Sequence, residues 1–484
     1  MAPPIRIAAA SLARLLPDLQ TIPGPTYSAL GRAIESLVLD GRIAVETRLP
    51  SERDLARELT ISRATVTAAY DDLRGNGYLV SRTGAGSYVA VPPGARPRAS
   101  GARWTTTFGA DVIDLSRATL PAAPTAVAAA AARIPERLPA HLLGDGYDPH
   151  GLAVLREAIA RRFTARGAAT RPDQILVTNG ALHAVDLLIR LLLEPGDRVI
   201  TELPTYPGAL DAIRANRGRV MPVPMASGGG WQLGQLASTM QHAAARLAFL
   251  VPDFHNPTGV LMAEDDRREL LRVARRTGTT VIVDESFVDL GYPGADGVRA
   301  GERACAAIDP NTVTVGSLSK PVWGGLRIGW IRASTDLVAR LAALRASIDL
   351  GGSVIDQLVA SELLDHLDEI AGARVADLVP RRDALLRAVA EQLPDSRVRP
   401  PQGGLSLWLE LDAPVSTALT VLAAQSGVLV VPGSRFGVDG TLERFLRLPF
   451  TLPADRLTEA VVRLAGARRQ LDDGRLSARH LVVA

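Results

Sequence analysis

The chain is 484 residues long, about three times an ordinary domain, and its 47% hydrophobic and 22% charged content excludes bulk disorder. The single cysteine, Cys305, excludes an intrachain disulfide, and Arg14 and Asp18 interrupt the apolar stretch at 7–19 that a signal peptide would need. The most apolar segment, 181–193, carries Asp186 and Arg190 and is too short to cross a bilayer, so a buried helix in a cytoplasmic protein is expected.

The net charge of +3 conceals an anomaly: lysine occurs only at position 320, so arginine supplies every other one of the 54 basic side chains. Where a positive charge suffices, arginine serves. The one lysine is therefore expected where a primary amine is needed, because arginine is a very poor imine former.

In chain order, residues 1–25 form an extension ending in Pro23, Gly24 and Pro25, and 26–90 form a compact α+β unit. Leu30, Ile34 and Leu37 recur at helical spacing. Ser51 can cap a second helix with Leu55, Ala56 and Leu59 on its buried stripe. Ser62 can cap a third, with Val66, Ala69, Tyr70 and Leu73 inward, Arg63, Ala64 and Thr67 outward, and Thr65 near the edge. Residues 77–80 and 87–90 read as two strands joined through a Gly-containing turn at 82–86. Two successive capped helices followed by a hairpin make a winged helix-turn-helix, whose second helix meets the DNA major groove.

The patterns Leu49-Pro50-Ser51-Glu52-Arg53 and Ser62-Arg63-Ala64-Thr65-Val66 resemble the GntR family of bacterial regulators across this whole unit. The resemblance implies that Arg53 and Arg63 contact operator DNA, with Thr65 and the wing residues Arg82, Gly84 and Gly86 beside them. One position departs from the family: Glu46 stands where a glycine is usual.

A Pro-, Gly- and Arg-rich linker is expected at 91–110. From 111 to about 377, apolar runs at 174–177, 198–201, 247–251, 281–283 and 312–315 alternate with helical patterns, among them the Ala-rich run at 126–132. This is the signature of an α/β unit with a mostly parallel sheet. From about 378 to 470 a smaller α+β subdomain is expected, with strands near 405–411, 428–431 and 445–449 and a last helix from Pro453. Residues 471–484 read as a tail.

Lys320 follows the 312–315 strand in Gly316-Ser317-Leu318-Ser319-Lys320, and Arg327 lies seven residues on. This spacing suits an aldehyde bearing a phosphate, with Lys320 supplying the imine nitrogen while Ser317 and Arg327 hold the phosphate. Asp284 closes an apolar strand, where a carboxylate can pair with a protonated pyridine nitrogen. Asn256, in an Asn-Pro-Thr-Gly turn, can donate to a ring phenolate oxygen.

Singly each of these is a weak motif; in this order they resemble fold type I, class I and II aminotransferases, which use pyridoxal 5'-phosphate, over residues 111–470. The resemblance extends the set. It implies phosphate contacts from Ser319, from the helix start at Gly180, Ala181 and Leu182, and from a Tyr147 contributed, near Gly151, to the neighbouring subunit. It also implies that Tyr206 stacks on the ring and that Arg447 grips an amino acid's carboxylate. Phe287 departs from the usual tyrosine, three residues after the Asp, that shares the ring oxygen with the Asn, which bears on transamination but not on cofactor capture.

A GntR-type reader joined to such a domain resembles the MocR or GabR type of regulator, and Pro204-Thr205-Tyr206-Pro207-Gly208 with Trp323-Gly324-Gly325-Leu326 are similar to an actinobacterial branch related to YczR. The resemblance implies a head-to-tail homodimer on two DNA half-sites, sensing an amino compound or the cofactor itself. The alternative is a working aminotransferase with a DNA anchor.

Overall fold

The computed structural model describes residues 7–22, 24–39, 43, 47–82, 86–90, 111–226, 230–294, 303–438 and 441–472. The linker at 91–110, Glu46, Gly84, most of the 471–484 tail and the side chain of Arg82 lie outside what is described.

The N-terminal unit runs α1 (Ala9–Leu15), α2 (Thr26–Leu39), α3 (Glu52–Leu59), α4 (Arg63–Gly75), β1 (Leu79–Arg82) and β2 (Gly86–Val89). Both expected caps form: Ser51 Oγ accepts from the Asp54 amide at 3.1 Å and Ser62 Oγ from the Thr65 amide at 3.0 Å. Between them Thr60 takes a left-handed conformation, φ 55°, which ends α3 and turns the chain sharply into α4. Leu30, Ile34, Leu55, Val66, Ala69 and Tyr70 close one core. The hairpin pairs Arg82 with Gly86, so these two residues, expected in the turn, belong to the strands.

The extension is part of this core. Leu12 on α1 is fully buried, with Ile7, Leu15 and Leu16 packed beside it. Short amphipathic segments like this need tertiary burial to stay helical.

Beyond residue 111 the order is β3 (Ile113–Asp114), α5 (Pro124–Ala132), α6 (Ile134–Arg137), α7 (Ala153–Ala165), β4 (Ile175–Thr178), α8 (Ala181–Leu192), β5 (Arg198–Leu203), α9 (Pro207–Ala215) and β6 (Arg219–Pro224). Next come α10 (Leu233–His242), β7 (Leu247–Leu250), α11 (Glu264–Thr277), β8 (Thr280–Asp284), α12 (Cys305–Ile308), β9 (Val313–Ser317), β10 (Gly329–Arg332), α13 (Thr335–Arg345) and α14 (Val354–Asp365). Seven strands form one sheet in the order β4-β10-β9-β8-β7-β5-β6, with β10 antiparallel to both its neighbours. Two of the seven are additions to the sequence reading. β6 carries Pro222 and Pro224, which hid it as a strand and which an edge position tolerates. β10, Gly-Trp-Ile-Arg, opens on a glycine and ends on an arginine, so it lacks the continuous apolar run that revealed β4 and β7 at the same length.

The chain ends with α15 (Leu367–Gln392), β11 (Arg397–Val398), β12 (Ser406–Glu410), α16 (Ser416–Gln425), β13 (Val428–Leu429), β14 (Val431–Pro432), β15 (Phe445–Pro449) and α17 (Ala454–Asp472). The expected strand at 428–431 is split: β14 joins the four-stranded sheet β11-β12-β15-β14, while β13 pairs in parallel with β3. So β3, assigned by sequence to the large subdomain, sits against the small one. The expected division near 378 falls inside α15, which buries Leu367 and Ile370 in one core and Leu378 and Leu385 in the other. Among the described residues no helix is long and apolar enough to cross a membrane.

Because Leu12 is a full member of the reader core, Leu12→Ala is expected to destabilise the N-terminal unit by about 2–5 kcal/mol, the usual cost of a buried Leu-to-Ala change. Denaturant unfolding of the full chain checks this; an unchanged N-terminal transition would show that α1 is not part of that core.

Candidate functional site

The reader face is built on the two caps. Arg53, at the start of α3, and Arg63 and Ala64, at the start of α4, are exposed. Thr65 is half-buried, its hydroxyl 2.8 Å from Ser62 Oγ. Thr67, expected to point outward, instead donates to Glu52 Oε2 at 2.9 Å. Glu52 also meets Arg74 at 3.3 Å and Arg63 at 3.7 Å, so one carboxylate ties α3 to α4 and fixes their angle.

The second site follows from strand direction. In a parallel sheet all strands end on one edge, and ligands bind outside those ends. Here Gly180 follows β4, Tyr206 follows β5, Asn256 follows β7, Asp284 ends β8, and Ser317 ends β9 with Lys320 just beyond. Antiparallel β10 completes the arrangement, because Gly329 pairs with both Thr178 and Ser317 and so brings Arg327 beside Gly180. A Cβ on Gly329 would stand 2.6 Å from the Gly180 carbonyl carbon, and one on Gly180 would stand 2.8 Å from the Arg327 guanidinium. Only glycine fits there.

Gly180 starts α8 at φ 87° with no side chain capping it, so the first-turn amides of Ala181 and Leu182 stay open to an anion. Arg327 Nη2 donates to the Asn179 carbonyl at 2.6 Å. Ser317 Oγ lies 2.7 Å from Ser319 Oγ and 3.0 Å from the Ile328 carbonyl, and accepts from the Ser319 amide at 3.0 Å.

Lys320 sits in a single π-helical turn, Ser319–Trp323, a rare geometry that often marks functional positions. Its Nζ donates to the Ala118 carbonyl at 3.0 Å and lies 5.4 Å from the centre of the Phe287 ring. Burial, and then the neighbouring Arg447 charge, push the amine down to about 8, against the opposing pull of Asp284. Asp284 is buried and its carboxyl is raised by that burial, although it accepts from the Ser286 amide at 2.9 Å. Arg447 is also buried and lowered to about 10 by it. It donates to the Ser116 carbonyl and packs over the Phe436 ring, while its Nε has no partner. Tyr206 is raised to about 12 by burial, with Asp284 and Asp211 adding to the shift and Arg447 and Arg327 opposing it.

Asn256 is half-buried in its turn beyond β7. Tyr147 is 66% exposed, and Gly151 takes φ 90° where a Cβ would stand 2.4 Å from the Val177 side chain. Two features escaped the sequence. The carbonyls of Ser116 and Ala118 close over Arg447 and Lys320, and backbone acceptors leave no signature in residue type. A buried Glu202–His255–Trp231 cluster lies behind the Tyr206 and Asn256 segments.

Open helix amides, a guanidinium over a glycine, one desolvated amine, a buried carboxyl and an arginine with an unpartnered Nε fit a phosphorylated aldehyde with an ionisable ring. The fold and this donor set define a pyridoxal phosphate-binding protein carrying a helix-turn-helix. The chain belongs to the aminotransferase class I and II family, matched over residues 110–464, and residues 26–89 match the gntR family of bacterial regulatory proteins. That combination is of the MocR type. The HTH-type transcriptional regulator YisV of Bacillus subtilis is 29% identical, over 88% of this chain and 92% of its own. TauR of Rhodobacter capsulatus, another HTH-type transcriptional regulator, is 28% identical over 92% and 97%. The crystal structure of LysN, the alpha-aminoadipate aminotransferase of Thermus thermophilus complexed with N-(5'-phosphopyridoxyl)-L-leucine, has a TM-score of 0.68 at 28% identity, covering 75% of this chain and 94% of that one.

The isolated lysine allows a direct test of the electrostatics. Protein labelled with 13C-lysine gives one side-chain signal, expected to titrate near pH 8 in the cofactor-free form. Arg447→Ala removes a nearby positive charge and should move that midpoint up. A midpoint in the ordinary lysine range, or no response to Arg447→Ala, would contradict the described pocket.

Proposed function

We propose that this protein is a DNA-binding transcriptional regulator whose pyridoxal phosphate pocket senses an amino compound, or the cofactor itself, and alters operator binding. One observation carries the reading: a capped reader helix pair with exposed Arg53 and Arg63 shares a chain with a pocket built around a single desolvated amine.

In this reading Lys320 attaches the cofactor covalently, and a lowered amine has the neutral nitrogen such attachment needs. Ser317, Ser319, Arg327 and the amides at Gly180, Ala181 and Leu182 hold its phosphate, joined by Tyr147 of a head-to-tail partner copy. Asp284 pairs with the ring nitrogen, Asn256 with the ring oxygen, and Tyr206 covers the ring face. When bound, the cofactor supplies an electrophilic carbon and an electron-accepting ring. Arg447 takes the effector's carboxylate in exchange for the Ser116 carbonyl. Ser116 lies two residues beyond β3, so that exchange acts on the stretch by which the chain enters this domain from the reader side. To shift DNA binding, the effector must favour one arrangement of the two units over the other. Phe287 removes a hydroxyl from the ring oxygen's surroundings, which favours capture and sensing over turnover. A cytoplasmic site of action accords with a DNA ligand.

The second reading is a working aminotransferase with a DNA anchor, favoured by the presence of Lys320, Asp284 and Arg447 together. Sustained amino transfer to a 2-oxo acid, with operator affinity indifferent to ligand, would support it over the first. Operator affinity measured for the cofactor-free form, the cofactor form and the form given candidate amines separates the two signals of the first reading.

Lys320→Ala is expected to lose the visible-edge absorbance of the lysine-bound cofactor, and retention of that band would overturn the attachment site. Arg447→Ala should keep the band yet lose the response of operator binding to amino acids. Arg53→Ala and Arg63→Ala should each weaken operator binding by about 1–3 kcal/mol and lower its salt dependence, leaving the absorbance intact. Gel-shift titrations at two salt concentrations read this; unchanged affinity at moderate salt would refute the reader assignment.

A further inference from the structure

Behind the pocket lies a buried cluster to which nothing above gives a task. Glu202, at the end of β5, is 2% exposed and His255, beyond β7, is 1% exposed. Glu202 Oε1 accepts from Trp231 Nε1 at 3.0 Å and from the Val251 amide at 2.8 Å. Its Oε2 has only a long contact from Thr205 Oγ1, 3.4 Å, and faces His255 Nε2 at 3.9 Å. His255 Nδ1 is engaged with Thr258 Oγ1 at 2.9 Å, which leaves Nε2 buried without a hydrogen-bond partner. The Trp231 ring meets the His255 ring edge to face, 5.9 Å between centres. Among the described residues, His255 is the one basic side chain within ion-pairing distance of Glu202.

Glu202 Oε2, held only by the long Thr205 contact, and His255 Nε2, which makes no hydrogen bond, face one another at this distance, and one proton completes both. Either Glu202 as the acid donates to the neutral ring, or the Nε2–H tautomer donates to the carboxylate, and a closure of about 1 Å makes the bond in both cases. Without a shared proton two acceptors would oppose each other in a dry interior, which is costly. Burial raises Glu202 to about 7 against the opposing hydrogen bonds of Val251, Trp231 and Thr205, and lowers His255 to about 3 against the opposing pull of the Pro204 backbone, so a charged histidine is disfavoured and the single-proton pair is the one left.

Position in the chain gives the pair its consequence. Thr205, on Glu202, precedes Tyr206, and His255 precedes Asn256. We propose that Glu202 is a positioning residue for the cofactor ring: through a proton shared with His255 it locks the segment presenting Tyr206 to the segment presenting Asn256. Trp231 and the Val251 amide hold the other carboxyl oxygen so that Oε2 stays aimed at the histidine. This rests on the reading that Tyr206 and Asn256 face the ring.

Glu202→Gln tests the idea against mere packing, because its amide oxygen can still accept from Trp231 and Val251 while its N–H donates to His255. Cofactor affinity, from titration of the visible band, should stay within about twofold of wild type, with an unchanged band position. Glu202→Leu should weaken cofactor binding about tenfold and shift the band, and His255→Phe should do the same from the other side. The double variant should be no worse than either single one. Circular dichroism and operator binding report folding, and if Glu202→Leu does not fold, Glu202→Gln and His255→Phe carry the test. Gln as weak as Leu, or Leu and Phe both within twofold of wild type, overturns the proposal. Tyr206→Ala and Asn256→Ala separate the two levels: if neither alters affinity or band, the pocket reading itself fails, and if they do while Glu202→Leu and His255→Phe do not, only the positioning role fails.

Discussion

The pocket depends on the desolvation of one ammonium group beside a second cation. Lys320 is half-buried, and its partial loss of water together with the positive field of Arg447 disfavours the charged form, so the free amine becomes more accessible near neutral pH. An arginine could not respond this way, since its guanidinium stays protonated under the same pressure. That difference accounts for a chain that uses arginine elsewhere and retains lysine at this position alone. Asp284 restrains the effect from the other side, and its own raised carboxyl records the same dry surroundings.

The sheet makes this electrostatic arrangement possible. Five strands deliver their C-terminal ends to one edge, and the reversed β10 returns Arg327 to the same edge from the opposite direction. Glycines at 180 and 329 let backbone and guanidinium approach within distances that any side chain would block. The two subdomains are not independent supports. β3 belongs to the small sheet region, the carbonyls just after it reach Lys320 and Arg447, and α15 is buried in both cores. A change at Arg447 is thus felt by backbone close to the segment that leads back to the reader.

The reader is organised by the same economy of contacts. Two serine caps set where α3 and α4 begin, a left-handed Thr60 sets the turn, and Glu52 cross-links the pair through Thr67, Arg74 and Arg63. Its core reaches back to Leu12, ahead of the segment that matches the gntR family.

The sequence alone determined the winged helix-turn-helix, the α/β class of the larger unit and the residues clustered at its strand ends, because caps, apolar periodicity and strand-end motifs are local and leave their mark in residue type. It missed β6, whose prolines are tolerated only at an edge, and β10, which a glycine and an arginine deprive of a continuous apolar run. It joined β13 and β14 into one strand and gave β3 to the wrong subdomain. Strand pairing is a long-range choice that local pattern does not encode. Tertiary structure likewise decided that Thr67 turns toward Glu52, that the carbonyls of Ser116 and Ala118 meet Arg447 and Lys320, and that Glu202 faces His255. Backbone acceptors look alike in any sequence, and the two members of a buried pair 53 positions apart become neighbours only when parallel strands β5 and β7 lie side by side.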